Sequence, residues 1–365
     1  MRALEPIVAF RGVEKTYDGR VNVVDNLNLD IERGEFLTLL GPSGSGKTTT
    51  LMMLAGFEAP TAGDILLAGR SLASVPAHKR SMGMVFQNYA LFPHMTVAQN
   101  LAYPLKRRGA GRQAIAEAIR RAVDMVKLTG LEERYPAQLS GGQQQRVAVA
   151  RALIFQPDLV LMDEPLGALD KNLREQMQLE LKHLHGQLGT TVVYVTHDQS
   201  EALTMSNRVA VFHEGIVQQL DTPEALYEEP TNSFVANFLG ENNALAGRVE
   251  AADDGDGLCR VRLDTGEVIR ALPVSPAADG RTLVSVRPER LSLLRDGDGE
   301  TAGNRIAAQV VETIYFGDHV RLHVAAGADP MMLKLPLGAA DGLGPGAAVH
   351  LGCAPDHCRA LDPSA

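Results

Sequence analysis

Two hydrophobic patterns alternate along the first two thirds of the chain. Short uninterrupted apolar runs are typical of strands buried on both faces of a parallel sheet, and they occur at FLTLL (36–40), LVLM (159–162) and TVVYV (191–195). Helical patterns lie between them. In RQAIAEAIRRAVDMVKL (112–128), four apolar residues spaced for one helix face are Ile115, Ile119, Ala122 and Val126. This alternation predicts an α/β domain with a largely parallel sheet over residues 1–240.

The pattern changes near Gly240. From residue 241 to 365, alternating segments such as CRVRLD, TLVSVRPE and HVRLHVAA are broken by Gly, Asp and Pro, which predicts an all-β domain of hairpins. VSVRPE (284–289) also resembles LGCAPD (351–356), which favours two copies of a small barrel-like unit over chance similarity between hairpins. This region holds one lysine, 11 arginines and 18 acidic residues, and so carries −6 of the net charge of −9.

Composition narrows the class of protein. A chain of 365 residues with 45% apolar and 22% charged residues is long enough for two or three globular domains. The net charge of −9 argues against extensive electrostatic binding to the phosphates of a nucleic acid. Three cysteines are too few for a disulfide scaffold and fit a reducing cytoplasm. With no apolar run near 18 residues and no signal-peptide pattern, we expect a cytoplasmic protein whose membrane role, if it has one, comes through partners.

The first chemical motif follows the strand FLTLL. It matches the phosphate-loop pattern and is followed by the helical run TTTLMMLAG. Its residues are Gly41, Pro42, Ser43, Gly44, Ser45, Gly46, Lys47 and Thr48, and Thr49 comes next. Its glycines let backbone N–H groups face phosphate oxygens at a helix N-terminus. Lys47 is expected to reach the β- and γ-phosphates, and the Thr48 hydroxyl to ligate Mg²⁺. The alternative, a glycine-rich turn with an incidental lysine, is disfavoured by the flanking strand and helix.

A pair of carboxylates ends another apolar strand. Asp163 and Glu164 follow LVLM, so the strand delivers them to its carboxyl end. We expect Asp163 to hold Mg²⁺ through water, and Glu164 to polarise an attacking water, because phosphoryl transfer needs mainly positioning and charge stabilisation. Such a pair alone is usually a solvated strand end. Together with the phosphate loop it indicates nucleotide hydrolysis.

A third motif, LSGGQQQR (139–146), precedes the helical run VAVARALIF. Ser140 and Gln143 have capping-box spacing, and Gly141 and Gly142 leave the first backbone N–H groups bare of side chains. Such a helix start is suited to bind an anion. Because the phosphate loop of the same chain already holds one nucleotide, we expect a second molecule's nucleotide here.

The three motifs, in this order and spacing, closely resemble those of the ATP-binding subunits of ABC transporters over residues 5 to 240. The resemblance implies a P-loop NTPase core with a helical subdomain inserted at about 88–155. It also implies a head-to-tail dimer that traps two ATP molecules, each between one subunit's phosphate loop and the other's LSGGQ, and so a homodimer or a close heterodimer. By the same resemblance, Tyr17 stacks on adenine, Gln87 senses Mg²⁺ and water, and His197 contacts the γ-phosphate. Asp170 belongs to a loop that crosses the dimer interface. Gly167 departs from the serine of many relatives, which puts a role for that hydroxyl in doubt.

The C-terminal region bears on the kind of ABC protein. DTPEALYEEPTNSFVANFLGENN, followed by a β-rich region with VRPE, resembles the importer subgroup whose ATPase carries OB-fold-like TOBE modules. Such modules serve dimerisation, regulation or ligand sensing, and a plain dimer-stabilising appendage is equally compatible with this sequence. The importer interpretation implies a peripheral subunit on the cytoplasmic face of the inner membrane, with two permease subunits and, indirectly, a solute-binding protein as partners and no nucleic acid. A soluble, non-transport ABC ATPase is the alternative class.

The solute is indicated only by resemblance. FLGENN and FPHMTVAQNLAYPLK resemble spermidine/putrescine importer ATPases most closely, while ferric iron, 2-aminoethylphosphonate and sugar remain alternatives. A metal site at His350, Cys353, His357 and Cys358 is not expected, because their spacing is not a usual zinc pattern.

Overall fold

The structure is a computed structural model that describes residues 6–254, 256–277, 279–294, 303–327 and 329–363. Contacts within the chain divide it into a first unit, Met1–Pro223, and a second unit, Glu224–Ala365. None of the helices in these described residues is long and apolar enough to cross a membrane.

A six-stranded sheet forms the centre of the first unit. Its strands, in sheet order, are β10 (Ile216–Asp221), β9 (Arg208–His213), β3 (Phe36–Leu40), β8 (Thr191–Thr196), β7 (Leu159–Asp163) and β6 (Gly83–Val85). All neighbours are parallel except β9 and β10. The three apolar runs therefore form β3, β7 and β8 as predicted, and every residue of these strands is buried. Burial on both faces explains why their sequences are continuously apolar.

A second, antiparallel sheet was not predicted. Its strands, in sheet order, are β2 (Asn22–Ile31), β1 (Val8–Thr16), β4 (Ala62–Leu67) and β5 (Arg70–Ser71). The alternating burial of β2 is typical of a sheet with one face on the core, and its buried residues share a hydrophobic cluster with residues of β3, β7 and β8.

The described part of the first unit also contains six α-helices: α1 (Lys47–Ala55), α2 (Val97–Arg107), α3 (Arg112–Met125), α4 (Gly141–Leu153), α5 (Lys171–Leu188) and α6 (Gln199–Met205). The helix predicted from residue 112 is α3, which ends slightly earlier than its apolar pattern. Helices α2, α3 and α4 share a hydrophobic cluster of their own that includes Leu101, Val123 and Val147. They lie within the segment 88–155 that the sequence assigns to an inserted helical subdomain.

The second unit begins with two short helices and continues as two β-sheets. The helices are α7 (Pro223–Glu228), which starts at the division itself, and α8 (Ser233–Phe238). A closed barrel contains β11 (Asn243–Ala251), β12 (Cys259–Leu263), β13 (Val268–Pro273), β20 (Arg359–Leu361) and β14 (Arg281–Val286). A five-stranded sheet contains β15 (Ser292–Leu294), β19 (Ala348–Cys353), β16 (Asn304–Tyr315), β17 (Val320–Ala326) and β18 (Asp329–Leu335).

The two sheets repeat one topology, as the internal echo in the sequence predicts. Each has a three-stranded meander and a fourth strand that pairs with the first strand of that meander. The echoed segments are these fourth strands, β14 and β19, each followed by a short 3-10 turn. The strand after each turn crosses to the other sheet: β15 pairs with β19, and β20 pairs with β13 and β14. Each sheet thus contains one strand that follows the last strand of the other sheet's repeat.

The division between the units lies earlier in the chain than the expected boundary at Gly240. One residue that joins the preceding helices to the β-rich unit is Arg287, which follows β14 and is 5% exposed. Its guanidinium donates hydrogen bonds to the backbone carbonyls of Tyr227 (2.9 Å) and Ala236 (2.8 Å), and it stacks on the Tyr227 ring. These bonds attach α7 and α8 to the β-rich unit. The helical pattern of their sequences had placed them with the preceding α/β domain.

Candidate active site

The candidate active site lies along one edge of the parallel sheet, where four neighbouring strands end. The order β3-β8-β7-β6 and the shared direction of these strands bring their carboxyl ends together. The residues that follow are Gly41 after β3, His197 after β8, Glu164 after β7 and Gln87 just after β6. Sheet topology therefore gathers residues that are far apart in the sequence.

The predicted phosphate loop connects β3 to α1. Gly46 has a φ of 98° directly before α1, and a Cβ atom there would collide with the carbonyl oxygen of Val23. A Cβ atom at Gly41 would collide with the carbonyl oxygen of Phe212. Only glycine fits these two positions. The first backbone N–H groups of α1, which lack partners within the helix, border this loop and are suited to bind an anion.

Lys47 is 5% exposed. Its ammonium group donates hydrogen bonds to the carbonyl oxygens of Gly41 (2.9 Å) and Pro42 (2.7 Å) and to the hydroxyl of Ser45 (3.3 Å). Burial lowers the pKa of Lys47, while the negative charges of two nearby carboxylates act in the opposite direction. The loop thus holds a cation at its centre, and Ser43 at its outer turn is exposed.

Thr48, in the first turn of α1, contacts Asp163 at the end of β7. The Thr48 hydroxyl donates a hydrogen bond of 3.0 Å to the Asp163 carboxylate. Burial raises the pKa of Asp163, and the bond from Thr48 opposes that shift. A hydroxyl and a carboxylate side by side are the oxygen ligands that Mg²⁺ prefers, and such sites are normally completed by waters and phosphate oxygens.

Glu164 connects the two other predicted catalytic residues. One carboxylate oxygen accepts a hydrogen bond of 3.1 Å from the Gln87 side chain, and the other lies 3.2 Å from Nδ1 of His197. The backbone of Glu164 has a φ of 43°, and its N–H donates to the Val195 carbonyl of β8. A left-handed conformation costs a non-glycine residue roughly 1–3 kcal/mol, and such strain clusters at functional sites.

The LSGGQ motif forms the start of α4. The Ser140 hydroxyl accepts from the Gln143 N–H (3.3 Å), and the Gln143 side chain accepts from the Ser140 N–H (3.0 Å), which is the predicted capping box. Gly141 and Gly142 form the first turn. Within one copy of the chain, no hydrogen bond or ion pair among the described residues joins this motif to the phosphate loop.

The other predicted nucleotide contacts lie at the surface or cap a helix. Tyr17 is 62% exposed, and the Lys15 ammonium lies 4.8 Å from the centre of its ring. Gly44 is exposed and Thr49 is half-buried. The Asp170 carboxylate accepts a hydrogen bond from a backbone N–H in the first turn of α5, so it has a structural role as a helix cap.

Arg151 was not singled out from the sequence. It lies on α4, and its guanidinium donates to the carbonyl oxygens of Tyr89 (2.8 Å) and Ala90 (2.7 Å). Both residues have positive φ, 60° and 44°, directly after the segment of Gln87. Arg151 therefore clamps a strained turn that carries a predicted catalytic residue. A lone arginine inside the apolar run VAVARALIF was the only sequence signal.

Arg174 on α5 was also missed. Its guanidinium donates to the carbonyl oxygen of Leu169 (2.9 Å) and to the carboxylate of Asp198 (3.2 Å). Leu169 lies in the loop that contains Asp170, and Asp198 follows His197. Arg174 thus links the predicted interface loop to the histidine loop. Nothing in the local sequence indicates either contact.

The described residues contain no group of three or more His, Cys, Asp or Glu side chains arranged to hold a metal ion. An ion bound at Thr48 and Asp163 would therefore depend on ligands beyond acidic side chains.

Two family models match the chain. Residues 24–167 match the ABC transporter family, and residues 284–361 match the TOBE domain family. The chain is 46% identical over 360 residues to the spermidine/putrescine import ATP-binding protein PotA of Rubrobacter xylanophilus, covering 97% of this chain and 93% of that protein. It is 49% identical over 317 residues to the protein of the same name from Pseudomonas aeruginosa, covering 86% of each.

Solved structures resemble the ATPase part. The structure of cbiO1 from Clostridium perfringens, part of the ABC transporter complex cbiONQ, has a TM-score of 0.58 at 26% identity and covers 62% of this chain and 92% of that one. A dimeric ATP-binding cassette in a post-hydrolysis state, bound to ADP and Pi, has a TM-score of 0.53 at 34% identity and covers 59% of this chain and 98% of that one.

Proposed function

Because this chain belongs to the family of ABC transporter ATP-binding proteins, which hydrolyse ATP to drive transport, we propose that it powers the import of spermidine and putrescine. The polyamine substrate is supported by relatives of that name at 46–49% identity over most of the chain. The observation that carries the catalytic part is the position of Glu164, in contact with both Gln87 and His197.

The residues of the phosphate loop fit the phosphates of ATP. Lys47 would exchange its loop carbonyl partners for phosphate oxygens, and Tyr17 has an exposed ring face for adenine. Thr48 and Asp163 would hold Mg²⁺, which when bound neutralises phosphate charge. Their side-by-side oxygens and the raised pKa of Asp163 fit this role, since a cation nearby would restore the charged carboxylate.

For hydrolysis, Glu164 acts as the general base. Its carboxylate accepts a proton from water as that water attacks the γ-phosphate, while His197 stabilises the charge that develops on the phosphoryl oxygens. Gln87 orients the carboxylate and the water through its side-chain amide. The hydrogen bond from Gln87 and the ring nitrogen of His197 leave the carboxylate little rotational freedom.

We further propose that two copies of the chain act together. The N–H groups of Gly141 and Gly142 at the start of α4 form an anion site, and within one chain they are not joined to the phosphate loop. A second copy, facing the first head to tail, would bring its Ser140–Gln143 to the γ-phosphate. The loop at Asp170 would then cross the interface.

Two integral-membrane permease subunits are the proposed partners, and the chain would lie on the cytoplasmic face of the inner membrane. A groove of about 590 Å³ beside the Gln87 segment supports this arrangement. Its apolar lining includes Met82, Met84, Phe86, Phe92, Tyr103 and Phe155. Three arginines also line it, namely Arg107, Arg108 and Arg151. A permease segment in this groove would press on the turn that Arg151 clamps. A solute-binding protein would act only through the permease.

The test is a chromosomal Glu164→Gln replacement, with Glu32→Gln, at an exposed residue between β2 and β3, as the matched control. Wild type and control should take up labelled putrescine and spermidine, whereas the Glu164→Gln strain should not. Purified Glu164→Gln protein should bind ATP and accumulate as a closed dimer with turnover reduced roughly 100- to 10,000-fold. Normal hydrolysis would refute the role of Glu164. Lost hydrolysis with unchanged polyamine uptake would refute the substrate and leave the ATPase standing.

A further inference from the structure

Two of the three cysteines lie against each other in the second unit. Cys353 is the last residue of β19 and Cys358 directly precedes β20, with a 3-10 turn, Pro355–His357, between them. Their sulfur atoms are 3.3 Å apart. Both residues are buried, at 4% and 1% exposure.

The cysteine pair lies where the chain passes from one sheet of the second unit to the other. The chain leaves the five-stranded sheet at Cys353 and enters the barrel just after Cys358, where β20 pairs with β13 and β14. The Asn304 side chain, at the start of β16, donates to the Cys358 sulfur (3.3 Å) and to the carbonyl oxygen of Arg270 on β13 (2.7 Å). The two sulfurs thus lie at the crossover that joins the two sheets.

The surroundings distinguish the two thiols. The hydrogen bond from Cys358 lowers the pKa of Cys353, against the effect of burial. That same bond and burial raise the pKa of Cys358. Cys353 is therefore the thiol that ionises first, and the thiolate is the form that reacts with oxidants. Cys259 on β12 is also buried, and burial raises its pKa, which opposes ionisation of that thiol.

We propose that Cys353 and Cys358 are a peroxide-oxidisable pair that forms a reversible intramolecular disulfide at the strand crossover. The Cys353 thiolate attacks one oxygen of hydrogen peroxide, the O–O bond breaks, and a sulfenic acid and water are formed once the leaving hydroxide takes up a proton. The Cys358 sulfur then attacks the sulfenic sulfur, and the S–S bond forms as a second water leaves with the Cys358 proton. Two thiols and one peroxide give one disulfide and two waters. A dithiol reductant reverses the reaction by exchange.

The geometry favours this bond over oxidation of a single thiol. A disulfide needs the sulfurs about 2.0 Å apart, so the pair has to close by only a little more than 1 Å. The resolving thiol already touches the thiol that ionises first, so a sulfenic acid at Cys353 forms within reach of its partner. Disulfides in a reducing compartment are typically transient and redox-sensing, which is the behaviour proposed for this pair.

Peptide mapping tests the proposal on the full-length protein, independently of ATPase activity. Trypsin cleaves after Lys334 and Arg359, so residues 335–359 carry both cysteines on one peptide, whereas Cys259 falls on residues 249–260. Reduced protein is treated with hydrogen peroxide, alkylated in denaturant and digested. The 335–359 peptide should lose two hydrogens and take no alkyl group, and a dithiol should restore two alkylation sites. The Cys259 peptide should remain alkylated.

Three variants sharpen the result. Cys259→Ser should still form the bond, and Cys358→Ser should give a sulfenic acid at Cys353 that dimedone traps. Cys353→Ser should take up several-fold less dimedone at Cys358. In wild-type protein, two alkyl groups on the 335–359 peptide after prolonged peroxide treatment would overturn the proposal and leave two thiols that only fill the core. Peroxide-induced dimers on a non-reducing gel would overturn it as well, since the bond would then be intermolecular.

Discussion

Replacing Arg151 with methionine removes the clamp on the turn after Gln87 while keeping most of the apolar stem of the side chain. The arginine donates hydrogen bonds to the carbonyl oxygens of Tyr89 and Ala90 at 2.8 and 2.7 Å. Both residues are non-glycine residues with positive φ. The turn is therefore a strained conformation that outside contacts must hold.

The magnitudes decide which state the variant adopts. Hydrogen bonds to a charged donor contribute roughly 1.5–3 kcal/mol each, so the clamp provides about 3–6 kcal/mol. The left-handed conformation costs about 1–2 kcal/mol for each of Tyr89 and Ala90. Ala90 is exposed and its carbonyl can bind water in the variant, which recovers part of the loss. We expect the turn to lose about 2–4 kcal/mol of local stability.

Hydrogen exchange measures this loss directly. The N–H groups of Tyr89 and Ala90 donate to backbone carbonyls within the turn, and in Arg151→Met they should exchange roughly 30- to 700-fold faster, at tenfold per 1.4 kcal/mol. Turnover of ATP should fall because Gln87 loses its fixed position, with kcat affected more than KM. Arg120→Met, an exposed arginine on α3, is the matched control. Unchanged exchange at both amides would refute the clamp.

The remaining predictions concern other buried charged groups. Lys47→Ala should abolish ATP binding or hydrolysis, and wild-type ATPase activity would contradict the phosphate-loop assignment. Glu201 is 2% exposed, accepts from the Tyr194 hydroxyl, and has a pKa that burial raises above 4.5, so the native state binds more protons than the unfolded state. The free energy of unfolding should therefore decrease as pH rises from the ordinary glutamate pKa of 4.5 through the raised pKa of the folded state, and Glu201→Gln should flatten this slope in urea titrations at a series of pH values above 4.5. Arg287→Met leaves backbone carbonyls unpaired and should lower stability by roughly 3 kcal/mol or more, while Arg305→Met at an exposed position should change little in thermal unfolding.

The elements that the sequence predicts best are those encoded by consecutive residues. The run FLTLL coincides with β3, and the capping box at Ser140 forms as its spacing predicts. In both cases the determining interaction is local: burial of a short strand, or hydrogen bonds across three residues. The grouping of Glu164 with Gln87 and His197 required the resemblance as well, because it depends on strand order, which no local pattern specifies.

The contacts that the sequence did not reveal are made by arginines that satisfy distant backbone carbonyls. Arg151, Arg174 and Arg287 each bind carbonyl oxygens of another segment. A carbonyl is present at every residue, so such a partner leaves no mark on the sequence of the segment that is bound. The boundary expected at Gly240 illustrates the consequence. It followed the change from helical to β pattern, whereas Arg287 attaches the preceding helices to the β-rich unit.

The exchange of strands between the two sheets of the second unit was also not predictable from local sequence. The echo between residues 284–289 and 351–356 indicates a repeat, but the strand after each echoed segment is only three residues long. The sequence of a three-residue strand does not determine which strand it pairs with. The direction of the chain after the preceding turn therefore decides which sheet the strand joins. At Cys353 and Cys358 that turn carries two touching thiols, whereas the equivalent turn at Pro288–Arg290 carries none. A covalent bond would therefore act on one of the two crossovers, and oxidation should slow hydrogen exchange in β20 while leaving β15 unchanged.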